Sequence, residues 1–122
     1  MRAENKGEFE YVEVWGDGKI VRDYIFIDDI CNAVFLLIKN NEWNNIFNIG
    51  SGKGTSINTV IKIIKKVTKI NFRVDYLEGR KIDVPFNILN ISKLKSAIKF
   101  TETSLTDGIQ KTLTWLKNNN NA

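Results

Sequence analysis

Tyr11-Val12-Glu13-Val14-Trp15 alternates apolar and acidic residues with period two, the pattern of a half-buried strand. Gly16-Asp17-Gly18-Lys19 breaks the alternation and predicts a turn, and Ile20 to Ile27 predicts a second strand. Beyond Asp28 or Asp29, either of which suits a helix cap, the period lengthens. Ile30, Cys31, Val34, Phe35, Leu37 and Ile38 then recur at helical spacing as far as about Asn40. Ile46-Phe47-Asn48-Ile49 predicts a short strand that ends in Gly50-Ser51-Gly52-Lys53-Gly54. Thr55 or Ser56 caps a second helix, with Ile57, Val60, Ile61, Ile64 and Val67 inward and Lys62, Lys65, Lys66 and Lys69 outward. Phe72 to Leu77 alternates again, Glu78 to Pro85 is a charged loop, and Asn87 to Ile91 is extended. Ser92 is placed to cap a short helix to about Lys99, and Ser104 a last one bearing Leu105, Ile109, Leu113 and Leu116 on one face. Strands alternate with about four helices and nothing repeats. The expectation is one small α/β domain over residues 1–117, with a disordered Asn-rich tail over 118–122.

Composition narrows the chemistry. The chain has 122 residues, no histidine and one cysteine. Without histidine there is no Ser-His-Asp triad and no imidazole base or metal ligand, so no metal site is expected. Cys31 alone forms no internal disulfide, and on an apolar helical face it reads as an inert core thiol. The longest apolar run, Ala33 to Ile38, falls short of the roughly 20 residues that span a bilayer. No apolar stretch follows Met1 to Lys6 as a signal peptide requires, and a cytoplasmic location without membrane contact is expected. Lysine supplies fourteen of the eighteen basic residues behind the +4 net charge. A genome rich in A and T would inflate lysine together with isoleucine and asparagine. The scarcer arginines, Arg2, Arg22, Arg73 and Arg80, are the more informative cations.

The glycine-rich turn resembles the phosphate loop of nucleoside-monophosphate kinases. That pattern needs glycine five positions before Gly52, where Phe47 stands, and Ser or Thr after the lysine, where Gly54 stands. The dinucleotide fingerprint fails too, because Gly50, Gly52 and Gly54 are spaced two and two. A tight strand-to-helix turn is the preferred reading. The lysine stripe of the second helix lacks arginine and interleaved aromatics, so a solvated face is preferred to a nucleic-acid site. Arg22, inside a strand, and Arg80, on a loop three residues before Asp83, have planar forks suited to bidentate phosphate binding. Each also has an aspartate close enough in sequence to pair with. From the residues alone those two readings stand level.

Val14 to Ile30, which contains Gly16-Asp17-Gly18 and Arg22-Asp23-Tyr24, resembles the GDG-x-x-x-RD[YF]-x-x-V-x-D segment of extended short-chain dehydrogenases. These are the NAD-dependent epimerases and dehydratases of nucleotide sugars. Three further segments follow in order. Phe47 to Gly52 resembles [YF]-N-[IL]-G-x-G, Arg80 to Val84 resembles R-x-x-D-[VL], and Ser104 to Ile109 resembles S-L-x-[ED]-G-[IL]. The resemblance runs from about Val12 to Leu116, with UDP-glucose 4-epimerase-like members most similar. It implies the small C-terminal substrate-binding domain, in which Arg22 and Arg80 bind the substrate diphosphate and Asp83 helps hold the ribose. Asp23 is expected to orient its surroundings rather than touch ligand.

Family members also carry an N-terminal Rossmann domain with G-x-x-G-x-x-G for NAD and a Tyr-x-x-x-Lys pair for proton transfer. Neither motif is in this sequence: four residues after Tyr11, Tyr24 and Tyr76 stand Trp15, Asp28 and Arg80. The resemblance therefore implies no catalytic or cofactor-binding residue in this chain, with NAD held by the missing Rossmann domain. The expected function is anchoring of a nucleotide sugar, a UDP-hexose first, with no activity unless that domain is present. Nucleic acid is not an expected partner, and the isolated domain is expected to be a monomer. The alternative is a free-standing nucleoside-diphosphate-binding or regulatory module that is not part of an enzyme.

Overall fold

The structure, a computed structural model, describes residues 11–80 and 82–119. In chain order these form β1 (Tyr11–Trp15), β2 (Val21–Asp23), α1 (Ile27–Lys39), β3 (Gly54–Ser56), α2 (Ile57–Thr68), β4 (Arg73–Leu77), β5 (Phe86–Asn87), α3 (Ser92–Ala97) and α4 (Leu105–Asn119). Four helices with short strands are present, as the sequence pattern predicts. α4 takes in Asn118 and Asn119, where the expected tail begins, and residues 120–122 lie outside the described residues.

Two parallel strand pairs make the frame. β1 pairs with β4 from Tyr11 opposite Arg73 to Trp15 opposite Leu77. β2 lies between β3, which is antiparallel to it, and β5, which is parallel. The chain passes from the first sheet to the second twice, through residues 16–20 and through 78–85, and the two connections run side by side. Gly16 N–H donates to Leu77 O at 3.0 Å, and Val21 N–H donates to Pro85 O at 2.9 Å. Gly16 holds φ of +79°, and a Cβ built on it would lie 3.8 Å from Gly79 Cα, so side-chain-free backbone lets the two connections approach.

Helix ends follow local chemistry. Ser56 caps α2 by accepting from Thr59 N–H at 3.2 Å, and Ser104 accepts from Asp107 N–H at 3.1 Å at the start of α4. α3 differs from expectation. Its N-cap residue is Ile91, without a side-chain cap bond, while Asn90 Oδ1 accepts from Ser92 N–H at 3.0 Å. The asparagine makes the turn itself and leaves Ser92 inside the helix.

The main core joins Ala33 of α1 to Ile91, Leu94, Ile98 and Phe100 around α3, with Leu36, Leu37, Phe47 and Ile49 packed against it. Ala33 and Leu94 are fully buried. Three expectations change here. The second strand stops at Asp23, because Phe26 O already accepts from Asp29 and Ile30 N–H as α1 begins. Ile46 to Ile49 is not a strand among the described residues, since it has no ladder partner. Cys31 is exposed, because α1 turns Ala33 inward and Cys31 outward with Val34, Phe35 and Ile38.

Candidate functional site: the junction of the two sheets

Arg22 and Asp23 are neighbours on β2, and strand geometry sends their side chains to opposite faces. Asp23 reaches the glycine turn. Its carboxylate accepts from Ser51 N–H at 2.7 Å, Gly52 N–H at 2.9 Å, Leu89 N–H at 3.3 Å and the Ser51 hydroxyl. Partial burial pushes the carboxyl's pKa up. The Ser51 hydroxyl and the three backbone N–H groups together outweigh that and hold it below the ordinary aspartate value. Asp23 thus ties β2, the Gly50–Gly54 turn and the segment after β5 into one unit, the orienting role the sequence suggests.

The same contacts decide the glycine turn. A phosphate loop needs free backbone amides facing an anion. Here the Ser51 and Gly52 amides already face an internal anion, Asp23. Lys53 turns away to pair with Glu102 at 2.6 Å, which Lys95 approaches at 3.8 Å. The Lys53 ammonium, first among the causes, and Glu102's own N–H lower the pKa of the Glu102 carboxyl despite some burial. The turn is a structural tie, and these residues do not fit the diphosphate of a dinucleotide such as NAD.

Arg22 is half-buried, registered between Thr55 and Asn87 of the flanking strands. Its Nη1 donates to Val21 O at 2.9 Å. No acidic side chain pairs with it among the described residues, so the expected alternative of an Arg22–Asp23 pair does not form. Arg80 does pair with its near neighbour, Nε standing 3.4 Å from Asp83 Oδ2, and Asp83 N–H returns to Arg80 O at 3.1 Å. Arg80 therefore sits on a single turn of loop that leads through Pro85 directly to β2, one residue from Arg22. Arg80 and Asp83 share the loop whose Pro85 O accepts from Val21 N–H, next in sequence to Arg22. All three lie within reach of solvent.

One residue at this junction is missed by sequence reasoning. The Arg80 guanidinium lies 5.1 Å from the centre of the Trp15 ring, at the end of β1. Trp15 is 45% exposed, unusual for so large an apolar side chain. Its signal in the sequence is the alternation itself, which puts Tyr11, Glu13 and Trp15 on one face while Val14 is buried. A flat ring beside the Arg80 guanidinium, itself paired with Asp83, offers stacking, anion neutralisation and a hydrogen-bond acceptor in one place. Among the described residues no group of His, Cys, Asp and Glu is arranged to hold a metal ion. No helix among the described residues is long and apolar enough to cross a membrane.

Known proteins resemble this chain over most of its length. Residues 1–50 match the NAD dependent epimerase/dehydratase family. UDP-glucuronate 4-epimerase of Thermodesulfobacterium geofontis is 33% identical over 110 residues, covering 88% of this chain and 34% of that protein. The UDP-glucose 4-epimerase of Thermotoga maritima, solved with UDP-glucose, superposes with a TM-score of 0.79 at 34% identity over 89% of this chain and 35% of that one. The UDP-glucuronic acid 4-epimerase of Bacillus cereus, solved with UDP-glucuronic acid and NAD, superposes with a TM-score of 0.76 at 25% identity over 87% of this chain and 35% of that one. The chain spans about a third of the length of the curated relatives it matches.

Proposed function

We propose that this chain, which belongs to the extended short-chain dehydrogenase/reductase family, anchors the nucleoside-diphosphate end of a nucleotide sugar, a UDP-hexose first. Arg22 and Arg80 take the diphosphate and Asp83 the ribose, while an NAD-binding domain outside this sequence carries the chemistry. The observation that carries the reading is the division of labour on β2: Asp23 is consumed by internal hydrogen bonds, whereas Arg22 has no acidic partner among the described residues. A guanidinium so placed, on a strand hydrogen-bonded to the loop that carries Arg80, suits an anionic ligand. Trp15 supplies a face for the base. Binding the remote end positions the reacting sugar without reacting with it. The chain is read as cytoplasmic and monomeric when alone.

Calorimetric titration with UDP tests this. Losing a charge-assisted hydrogen bond removes about 1.5–3 kcal/mol, roughly 10- to 150-fold in affinity. Arg22→Ala and Arg80→Ala should each weaken UDP binding by that order, with folding intact by circular dichroism. Unchanged affinity in both variants would refute the assigned site. The chain alone should also give no turnover of UDP-glucose or UDP-galactose, and a clear epimerase rate would sink the anchoring-only reading.

A further inference from the structure

The connection from β1 to β2, residues 16–20, is short, and each of its residues has a backbone group in a hydrogen bond. The N-terminus of α2 faces it. Two of the amides that a helix leaves unbonded in its first turn are spent on its carbonyls: Ile57 N–H donates to Ile20 O at 3.1 Å, and Asn58 N–H to Gly18 O at 3.0 Å. The Asn58 side chain holds the neighbouring peptide as well, its Nδ2 donating to Asp17 O at 2.9 Å. Its Oδ1 accepts from the Tyr76 hydroxyl of β4 at 2.8 Å. One half-buried asparagine thus joins α2, β4 and the connection, with both ends of its amide in use.

Gly18 is the other half of this arrangement. It is buried, holds φ of +71°, and a Cβ built on it would run into the Asn58 side-chain amide. The glycine admits the asparagine, and the asparagine clasps the peptides on either side of the glycine's Cα. A connection with two glycines at positive φ has little stiffness of its own, so its shape depends on such outside contacts.

The connection leaves from Trp15 and enters β2 one residue before Arg22. On its other side lies Gly79, on which a built Cβ would stand 3.5 Å from Gly16 Cα. The next residue, Arg80, places its guanidinium 5.1 Å from the centre of the Trp15 ring. We propose that Asn58 is a positioning residue of the nucleotide site. By clasping Asp17 and Gly18, with Tyr76 behind it, Asn58 holds the connection in the shape that fixes Trp15 at one end and Arg22 beyond the other. The inference rests on the proposed function, because the ligand it serves is the nucleoside diphosphate assigned there.

The test separates this role from mere service to α2. Asn58→Asp keeps the acceptor for Tyr76 but turns a carboxylate oxygen toward Asp17 O in place of the donor. The first turn of α2 holds no acidic residue, and a carboxylate there favours the helix. Asn58→Asp should therefore keep the parent's thermal midpoint within a few degrees. Its UDP binding by calorimetry should weaken about 2- to 30-fold, the range for residues that act on a site through others. Tyr76→Phe, which removes one hydroxyl from a half-exposed side chain, should weaken UDP binding in the same direction and by less. Trp43 and Trp115 are both exposed, and replacing them by Phe leaves Trp15 as the sole tryptophan. In that background, without ligand, acrylamide should quench Trp15 emission more readily once Asn58→Asp is added. Folded Asn58→Asp with the parent's UDP affinity, or with unchanged Trp15 quenching, overturns the proposal. If Asn58→Asp does not fold, Tyr76→Phe decides, and parent affinity in that variant overturns the proposal. Absence of UDP binding by the parent chain would refute the proposed function and this inference with it, whereas a binding parent with unaltered variants overturns this inference alone.

Discussion

Asp23→Asn removes one charge and almost no volume from the tie that joins β2 to the glycine turn and to Leu89. The carboxylate accepts four hydrogen bonds, three of them from backbone N–H groups. An asparagine keeps one acceptor oxygen and turns an NH2 group toward donors. At least one backbone N–H then loses its partner and the others lose their charge assistance. Bonds to a charged acceptor contribute about 1.5–3 kcal/mol each and are not additive, so a loss of about 2–4 kcal/mol is expected at neutral pH. The sign of the pH dependence follows from the lowered pKa of Asp23. A carboxyl whose pKa is lower folded than unfolded stabilises fully above the unfolded value, near pH 3.9, and loses that contribution as pH falls through the folded value. Urea unfolding of the parent chain and of Asp23→Asn, followed by circular dichroism from neutral pH to about pH 2.5, should show a gap that is constant above about pH 5 and narrows in acid. A gap that persists undiminished to the lowest pH, or one below about 0.5 kcal/mol at neutral pH, would refute the role assigned to the charge.

Three further outcomes are expected. Leu94→Ala, at a fully buried site, should destabilise the chain by about 2–5 kcal/mol in the same urea assay. Trp15→Ala should weaken UDP binding by calorimetry by about 1–3 kcal/mol, the range for a base stacked on an aromatic ring, while leaving the fold intact. Glu102→Gln should cost about 1 kcal/mol or less, because its partner Lys53 is largely solvent-exposed, and the small difference should fade as pH falls through the lowered value of the Glu102 carboxyl.

The helices and the two longer strands were legible in the sequence because their signals are local. Alternation over Tyr11–Trp15 and Arg73–Leu77, and the capping hydroxyls of Ser56 and Ser104, depend on residues within a turn or two. What was not legible depends on groups distant in sequence. Nothing near Ile46–Ile49 tells whether a strand lies beside it, and the described residues provide none. Cys31 illustrates the same limit. Apolar residues run around most of α1, so periodicity alone does not say which side meets the core, and the side chosen is that of Ala33, where α3 packs closely.

The candidate site shows why a motif and a geometry carry different information. Arg22 and Asp23 are adjacent in the same resemblance to a known pattern, and sequence alone left open whether they paired with each other. The two-residue period of a strand forbids the simplest version of that pairing, since neighbours point to opposite faces. Once Asp23 is committed to the turn at Ser51 and Gly52, Arg22 must stand on the opposite face of β2. The carboxylate that would otherwise neutralise the arginine is held away from it by the same strand that presents the arginine. An Asp23 substitution should therefore act on UDP affinity only through folding, whereas an Arg22 substitution acts on affinity directly. Folded Asp23→Asn protein that retains the parent affinity, beside folded Arg22→Ala that has lost it, is the result this division of labour requires; equal loss in both would show that the two residues serve one function.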